Sequence, residues 1–277
     1  MRRLLPLFCL FAASLLTVYA QWLNYPAPGT PRTKDGKPNL FAKAPVLGGK
    51  PDLSGVWQVE PPAKGEIERM LGGDIIGYTV PGDDIRTFSR YFFNILADFK
   101  PEESPLRPEA AEIMRSRSTN HITPDERCLP VGVPRGNLIG FPFKIVQTPE
   151  LIIVLYEDDY TRRQIYTDGR KLPVDPNPTW MGYSVGHWEG STLVVDSSGF
   201  TDRVWIDAVG HPVSEALHVE ERFRRRDFGH MDLQITITDP KMYTRPIRFQ
   251  VTELLQPDTD ILEYLCNENE KDRAHMK

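Results

Sequence analysis

The run Gly182-Tyr183-Ser184-Val185-Gly186 has the G-x-S-x-G spacing of a serine-hydrolase nucleophile elbow. That chemistry needs the serine on a sharp strand-to-helix turn, where the helix N-terminus helps build an oxyanion hole. Here Ser184 is followed by the turn Trp188-Glu189-Gly190-Ser191 and then by a second apolar run, Thr192 to Asp196. In a strand of that register Met181, Tyr183 and Val185 share one face and Ser184 takes the other. The expectation is a strand serine, not a nucleophile.

Glu221 is the more promising group. In "EALHVEERFRR" the residues Leu217, Val219, Glu221 and Phe223 alternate onto one face, which should be the buried one. A carboxylate among apolar neighbours has its pKa raised by desolvation, which suits a general acid or base or a ligand anchor. The plainer reading is a structural ion pair with an arginine from the next strand or an insertion helix, because buried acids are usually paired. His218, Glu220 and Arg222 fall on the outward face.

Metal chemistry has a weaker basis. His211 and His218 are the nearest approach to a ligand pair, with Glu220, Glu221 and His187 as further donors. Zinc needs three or four ligands held by surrounding hydrogen bonds, and the chain has no H-E-x-x-H helix. The sequence calls for no metal and no cofactor.

The segment Ser197 to Glu215 is long for a connection between strands and carries Phe200, Trp205, Ile206 and His211. Aromatic loops of this length serve as lids or binding loops, or simply pack on a rim. Trp180 poses the same choice. The expected ligand-binding set is therefore Trp180, Tyr183, Trp205 and Glu221, with Glu221 the one weak catalytic candidate.

These residues must be positioned by strands. After Pro142 nine candidate strands follow one another, from "FKIVQ" to "DILEYLC", separated by runs such as "TPE", "EGS", "DFGH" and "QPDT". Connections that short join antiparallel neighbours. With Gly55-Val56-Trp57 the count is about ten, and a twisted sheet of that size closes or splits into two layers. The predicted fold is mostly β, an antiparallel meander of about ten strands closing as a lipocalin-like barrel, with a sandwich as the alternative. Between residues 64 and 127 apolar residues fall at helical spacing instead. Ile85, Phe88, Phe92, Ile95, Leu96 and Phe99 form one stripe, with Asp83 or Asp84 placed to cap it. This reads as an insertion of two to three helices on the barrel domain, residues 52–277.

The ends define the compartment. Arg2 and Arg3 precede an apolar run from Leu4 to Val18, and Val18-Tyr19-Ala20 offers a cleavage site, so residues 1–20 read as a signal peptide. Residues 21–51 hold six prolines and read as an extended arm, loose or lying on the domain. Loss of the leader removes Cys9 and leaves Cys128 and Cys266, most simply a disulfide, with two buried thiols as the alternative. The formal charge of −5 becomes two units more negative without Arg2 and Arg3. An acidic domain is a poor partner for nucleic acid or anionic membranes, and the cluster Arg222 to Asp227 reads as the solvated face and end of a strand. No later segment is apolar for long enough to span a bilayer as a helix.

Gly55-Val56-Trp57 resembles the G-x-W that opens lipocalin-type barrels, where the Trp closes the floor. The stretches "PDLSGVW", "CLPVGVPR", "PTWMGYSVGHWEG", "TLVVDSSGF" and "EYLCNENEKD" together make the chain similar to an uncharacterised family of secreted bacterial proteins. The first resemblance implies a fold and the second a compartment, secreted or periplasmic. Neither implies a reaction. The reading that follows is a secreted barrel binding an apolar or amphipathic small molecule, with its oligomeric state open. The alternatives are a cavity enzyme, isomerase or hydrolase, using Glu221, and an envelope interaction protein with a filled barrel. The enzyme requires an unpaired Glu221.

Overall fold

The computed structural model describes residues 25–71, 85–120, 123–158 and 161–266. The leader and the two aspartates proposed as a helix cap lie outside them. Two short strands, β1 (Val46–Leu47) and β2 (Lys50–Pro51), form a hairpin in the arm. The nine strands that follow are β3 (Gly55–Val59), β4 (Phe143–Gln147), β5 (Leu151–Tyr156), β6 (Arg162–Tyr166), β7 (Tyr183–Glu189), β8 (Thr192–Ser198), β9 (His218–Arg225), β10 (His230–Thr238) and β11 (Ile247–Leu255). They close in the order β10-β11-β3-β4-β5-β6-β7-β8-β9, with β9 pairing back onto β10.

The mostly β barrel with a helical insertion is the architecture the sequence predicts. Three details differ. The barrel has nine strands, because Asp260 to Cys266 is irregular chain and not a tenth strand. The sheet is mixed, because β6 and β7 pair in parallel through Ile165 opposite Ser184 and Tyr166 opposite Val185. The physical reason lies in residues 167–182, a proline-containing excursion that returns the chain to the end of the barrel where β6 began. Two parallel strands cannot be joined by a tight turn. Finally, the stripe from Ile85 to Phe99 is not one helix. It breaks into a 3₁₀ turn, Ile85–Thr87, and a four-residue helix whose cap is Ser89, accepting from the Tyr91 amide at 3.3 Å. The apolar residues of the stripe are nevertheless buried or half-buried. The helices of the insertion are α1 (Glu66–Met70), α2 (Arg90–Phe93) and α3 (Pro108–Asn120).

The interior follows strand parity. Met231, Leu233, Ile235 and Ile237 of β10 and Val219, Phe223 and Leu193 from β9 and β8 are at most 2% exposed. One end, the floor, is closed by Trp57, which is fully buried and donates through Nε1 to Leu53 O at 2.9 Å. The Arg225 guanidinium lies over its ring at 4.8 Å and donates to Asp52 O, Ser54 O and Phe228 O. Burial pushes the Arg225 pKa down, to about 10. The arm lies across this floor: Gly229 N donates to Leu40 O at 2.7 Å and Phe228 N to Ala42 O at 2.8 Å. A Cβ on Gly229 would stand 2.5 Å from Leu40 Cβ, so only glycine admits the arm there.

The other end, the top, is covered by the insertion between β3 and β4 and by the long connection between β8 and β9. Ala208 N donates to Phe92 O at 2.9 Å and Val209 N to Phe93 O at 3.1 Å, pinning the two together. Cys128 and Cys266 form the disulfide, with Cα atoms 5.5 Å apart. It ties the C-terminal segment to the part of the insertion that enters the barrel. That segment also packs along the wall, through Leu262 N to Glu157 Oε2 at 2.7 Å and Lys144 to Asp260 at 2.7 Å.

Candidate functional site inside the barrel

Glu221 projects from β9 into the interior and is fully buried. Its Oε2 accepts from Arg163 Nη2 of β6, and its Oε1 accepts from Asn137 Nδ2 at 3.2 Å. Glu221 is therefore an ion-paired acid, and the condition for using it as a free general acid or base is not met. The partner comes from neither an adjacent strand nor a helix: β7 and β8 lie between β6 and β9 in the sheet.

Arg163 is itself 2% exposed. Nε donates to Ser184 Oγ at 3.0 Å and Nη2 to Ser197 Oγ at 2.8 Å, while the two serine hydroxyls sit 2.9 Å apart. Burial opposes the guanidinium charge, but the adjacent Glu221 more than offsets it and the pKa is raised. Ser184 is thus a strand residue, as its sequence context implies. Its hydroxyl is nonetheless part of the polar interior.

Asn137 reaches the cluster from the 3₁₀ turn Arg135–Asn137, and its Oδ1 accepts from the buried Tyr156 hydroxyl at 2.7 Å. Burial raises the Tyr156 pKa, keeping the phenol a donor. Gly136 permits this entry, since a Cβ there would stand 3.0 Å from the Tyr156 ring. The turn is anchored by Arg135, 1% exposed, which holds Asp125 at 2.9 and 3.2 Å and lies over the Phe92 ring at 4.4 Å.

Glu253 of β11 is the second interior carboxyl and is also fully buried. Among the described residues neither of its oxygens has a hydrogen-bond partner, and Arg163 Nη1 has none either. Desolvation first, and the negative Glu221 second, raise the Glu253 pKa well above its ordinary value. Burial favours the uncharged form of the Glu253 carboxyl. The interior thus contains one compensated ion pair, a second carboxyl whose charged form burial disfavours and, in Arg163 Nη1 and the two Glu253 oxygens, buried polar atoms with no partner among the described residues, an arrangement that costs free energy unless something supplies one.

The other residues singled out in the sequence are dispersed. Tyr183 faces outward, 37% exposed, with its hydroxyl on Asn177 O at 3.2 Å. Trp180 is half-buried with Arg203 over its ring at 5.3 Å. Trp205 belongs to the top, pairing with Pro212 and lying under Arg117 of α3 at 5.1 Å. His211 is buried, its Nδ1 2.5 Å from Asp207 Oδ2, and Asp207 also accepts from the amides of Ile95, Gly210 and His211. His218 sits on the outer face, 3.0 Å from Asp196. The structure does not bring His211 and His218 together, and among the described residues no three His, Cys, Asp or Glu side chains could share a metal. An open groove of about 310 Å³ is lined by residues that include Glu60, Tyr91, Gln250, Val251 and Thr252, and Glu221 is not among them.

Arg163, Asn137, Tyr156, Ser197 and Glu253 were not among the predicted site residues. Strand parity, the signal that picks out Glu221, also picks out four of them: Arg163 shares a face with Ile165, Glu253 with Val251 and Leu255, Tyr156 with Ile152 and Val154, and Ser197 with Leu193 and Val195.

Compared with family models, with curated proteins and with solved structures, the chain matches none. What the molecule defines is a closed nine-stranded barrel, compatible with a lipocalin-like architecture, with a polar cluster sealed inside it. No helix among the described residues is long and apolar enough to cross a membrane.

Proposed function

We propose that the protein is a secreted carrier that takes an amphipathic small molecule into the barrel, with the polar group of the ligand at Arg163 and Glu253. The observation that carries this reading is the set of unpartnered interior atoms, Arg163 Nη1 and the two Glu253 oxygens. A buried polar atom without a partner costs about 1–3 kcal/mol, and a ligand or water that supplies partners recovers it.

The electrostatics narrow the ligand. Arg163 and Glu221 already neutralise each other and burial disfavours the charged form of Glu253, so a charged ligand group would arrive uncompensated. The group that fits is uncharged and oxygen-bearing, such as a carbonyl or hydroxyl, accepting from Arg163 Nη1 and exchanging hydrogen bonds with the Glu253 carboxyl. The apolar body would lie among Phe223, Leu233, Ile235 and Phe249. Entry requires the Arg135–Asn137 turn to withdraw, because Asn137 bridges the lid to Glu221.

Native mass spectrometry of the protein purified from its own secretory compartment tests this. The expected result is a small molecule that leaves on denaturation and is absent from a Glu253→Leu variant. A bare mass in both would overturn the carrier reading and favour a filled barrel that acts through its surface.

A further inference from the structure

The floor of the barrel has an interaction surface of its own. Residues 25–51 lie across it, fastened by Leu40 and Ala42 to the β9–β10 turn, and by Ala27 and Arg32 to Asp258 beyond the end of β11. This arm presents large apolar side chains to solvent: Phe41 is 80% exposed, Val46 62% and Leu47 40%. Phe41 touches only the edge of the fold, its ring 5.0 Å from that of His230. Solvent exposure of this kind is unfavourable in a segment otherwise tied down by backbone hydrogen bonds.

The charges around these side chains differ in sign from the rest of the molecule. The chain is acidic overall, yet the arm carries Arg32, Lys34, Lys37, Lys43 and Lys50 against the single acid Asp35. Acids on neighbouring turns are held by bases: Asp258 by Arg32, Asp227 with His230, Asp260 by Lys144, Asp168 by Arg170 and Glu189 by Arg222. Asp52, whose Oδ1 accepts from the Ser54 amide at 2.9 Å, and Glu150 are further acids at this end. Lys37 lies 3.5 Å from Asp35, and no ion pair is found for Lys34, Lys43 or Lys50 among the described residues.

From this combination we infer that the floor arm docks the protein on a bilayer containing anionic phospholipid, with Phe41, Val46 and Leu47 entering the headgroup boundary and Lys34, Lys43 and Lys50 meeting lipid phosphates. Exposed apolar residues and lysines in one short segment match such an interface in both hydrophobicity and charge, and neither half would bind strongly alone. The contact leaves the top of the barrel facing away from the membrane.

Co-sedimentation of the purified protein with phosphatidylcholine vesicles, with and without phosphatidylglycerol, tests the inference. Binding is expected only with phosphatidylglycerol and should weaken as sodium chloride is raised. Phe41→Ser should lower the partition coefficient about tenfold or more, the scale of one buried aromatic side chain. Ile113→Ser, on α3 at the top, should leave it unchanged. Exchanging Lys34, Lys43 and Lys50 for glutamine should remove most of the salt dependence. Absence of binding to phosphatidylglycerol vesicles would overturn the inference, as would binding that survives Phe41→Ser. Sedimentation showing Phe41 buried by a second copy of the chain would overturn it as well.

Discussion

Arg163 and Glu221 meet inside the barrel although β7 and β8 separate their strands. Three strand spacings of about 4.8 Å lie between them along the wall. Only side chains that cross the interior can close that gap, and both are at most 1% exposed when they do. The pair braces the barrel across a chord and fixes where the remaining polar atoms point.

Breaking the pair on one side should therefore cost more than removing it. Arg163→Met strands a buried carboxylate and is expected to lose about 3–5 kcal/mol in urea unfolding. The double variant Arg163→Met with Glu221→Leu should recover most of that loss. A double variant as unstable as the single one would contradict an ion-pair role.

Glu253 sets a pH dependence with a definite sign. The unfolded chain releases this proton near pH 4.5, while the folded protein holds it well above that value. Stability from this group is complete below pH 4.5 and declines as pH rises toward the folded pKa. Glu253→Gln should thus be more stable than the parent at pH 7 by about 1–3 kcal/mol, with the gap closing at pH 4. Equilibrium unfolding at the two pH values measures it.

The floor depends on Trp57 beneath Arg225. Trp57→Ala should cost about 3–5 kcal/mol through the cavity it leaves. Arg225→Ala should cost less than that but also release the arm, since Arg225 holds the carbonyls of Asp52, Ser54 and Phe228. Proteolysis within residues 25–51 reports the release.

The disulfide encloses 138 residues of sequence separation, and a loop of that length stabilises by about 4–5 kcal/mol on the chain-entropy account. Exchange of Cys128 and Cys266 for alanine should lower the unfolding free energy by up to that amount. It should also loosen the Arg135–Asn137 turn, because Cys128 caps the 3₁₀ turn Asp125–Arg127, its amide donating to Asp125 O at 2.8 Å, and the Asp125 carboxylate holds Arg135. Faster amide exchange at Asn137 would show it.

Much of this architecture was legible in alternation alone. Nine of the ten candidate strands are real, because their period-two pattern is enforced by a one-sided core. "DILEYLC" carried the same apolar density but pairs with nothing, since β11 already completes the ring beside β3. The parallel junction was hidden because topology depends on the path of residues 167–182, which no periodicity records. In the site, Glu221 was found by parity, but its partner was not, since the ion pair crosses the barrel rather than joining neighbours. Composition puts Trp180 and Trp205 among the ligand-contact candidates, but it does not record that Arg203 and Arg117 lie over their rings. Glu253 was overlooked although the same parity rule applied to it.

A high-resolution crystal structure of the protein purified from its native compartment tests the central claim most directly, through the electron density beside Arg163 Nη1 and the Glu253 carboxyl. The carrier account predicts an elongated organic molecule with an oxygen within hydrogen-bonding distance of both residues and its apolar body among the β9, β10 and β11 side chains. Density for ordered water alone, or a closed interior with those atoms still unpartnered, would contradict it.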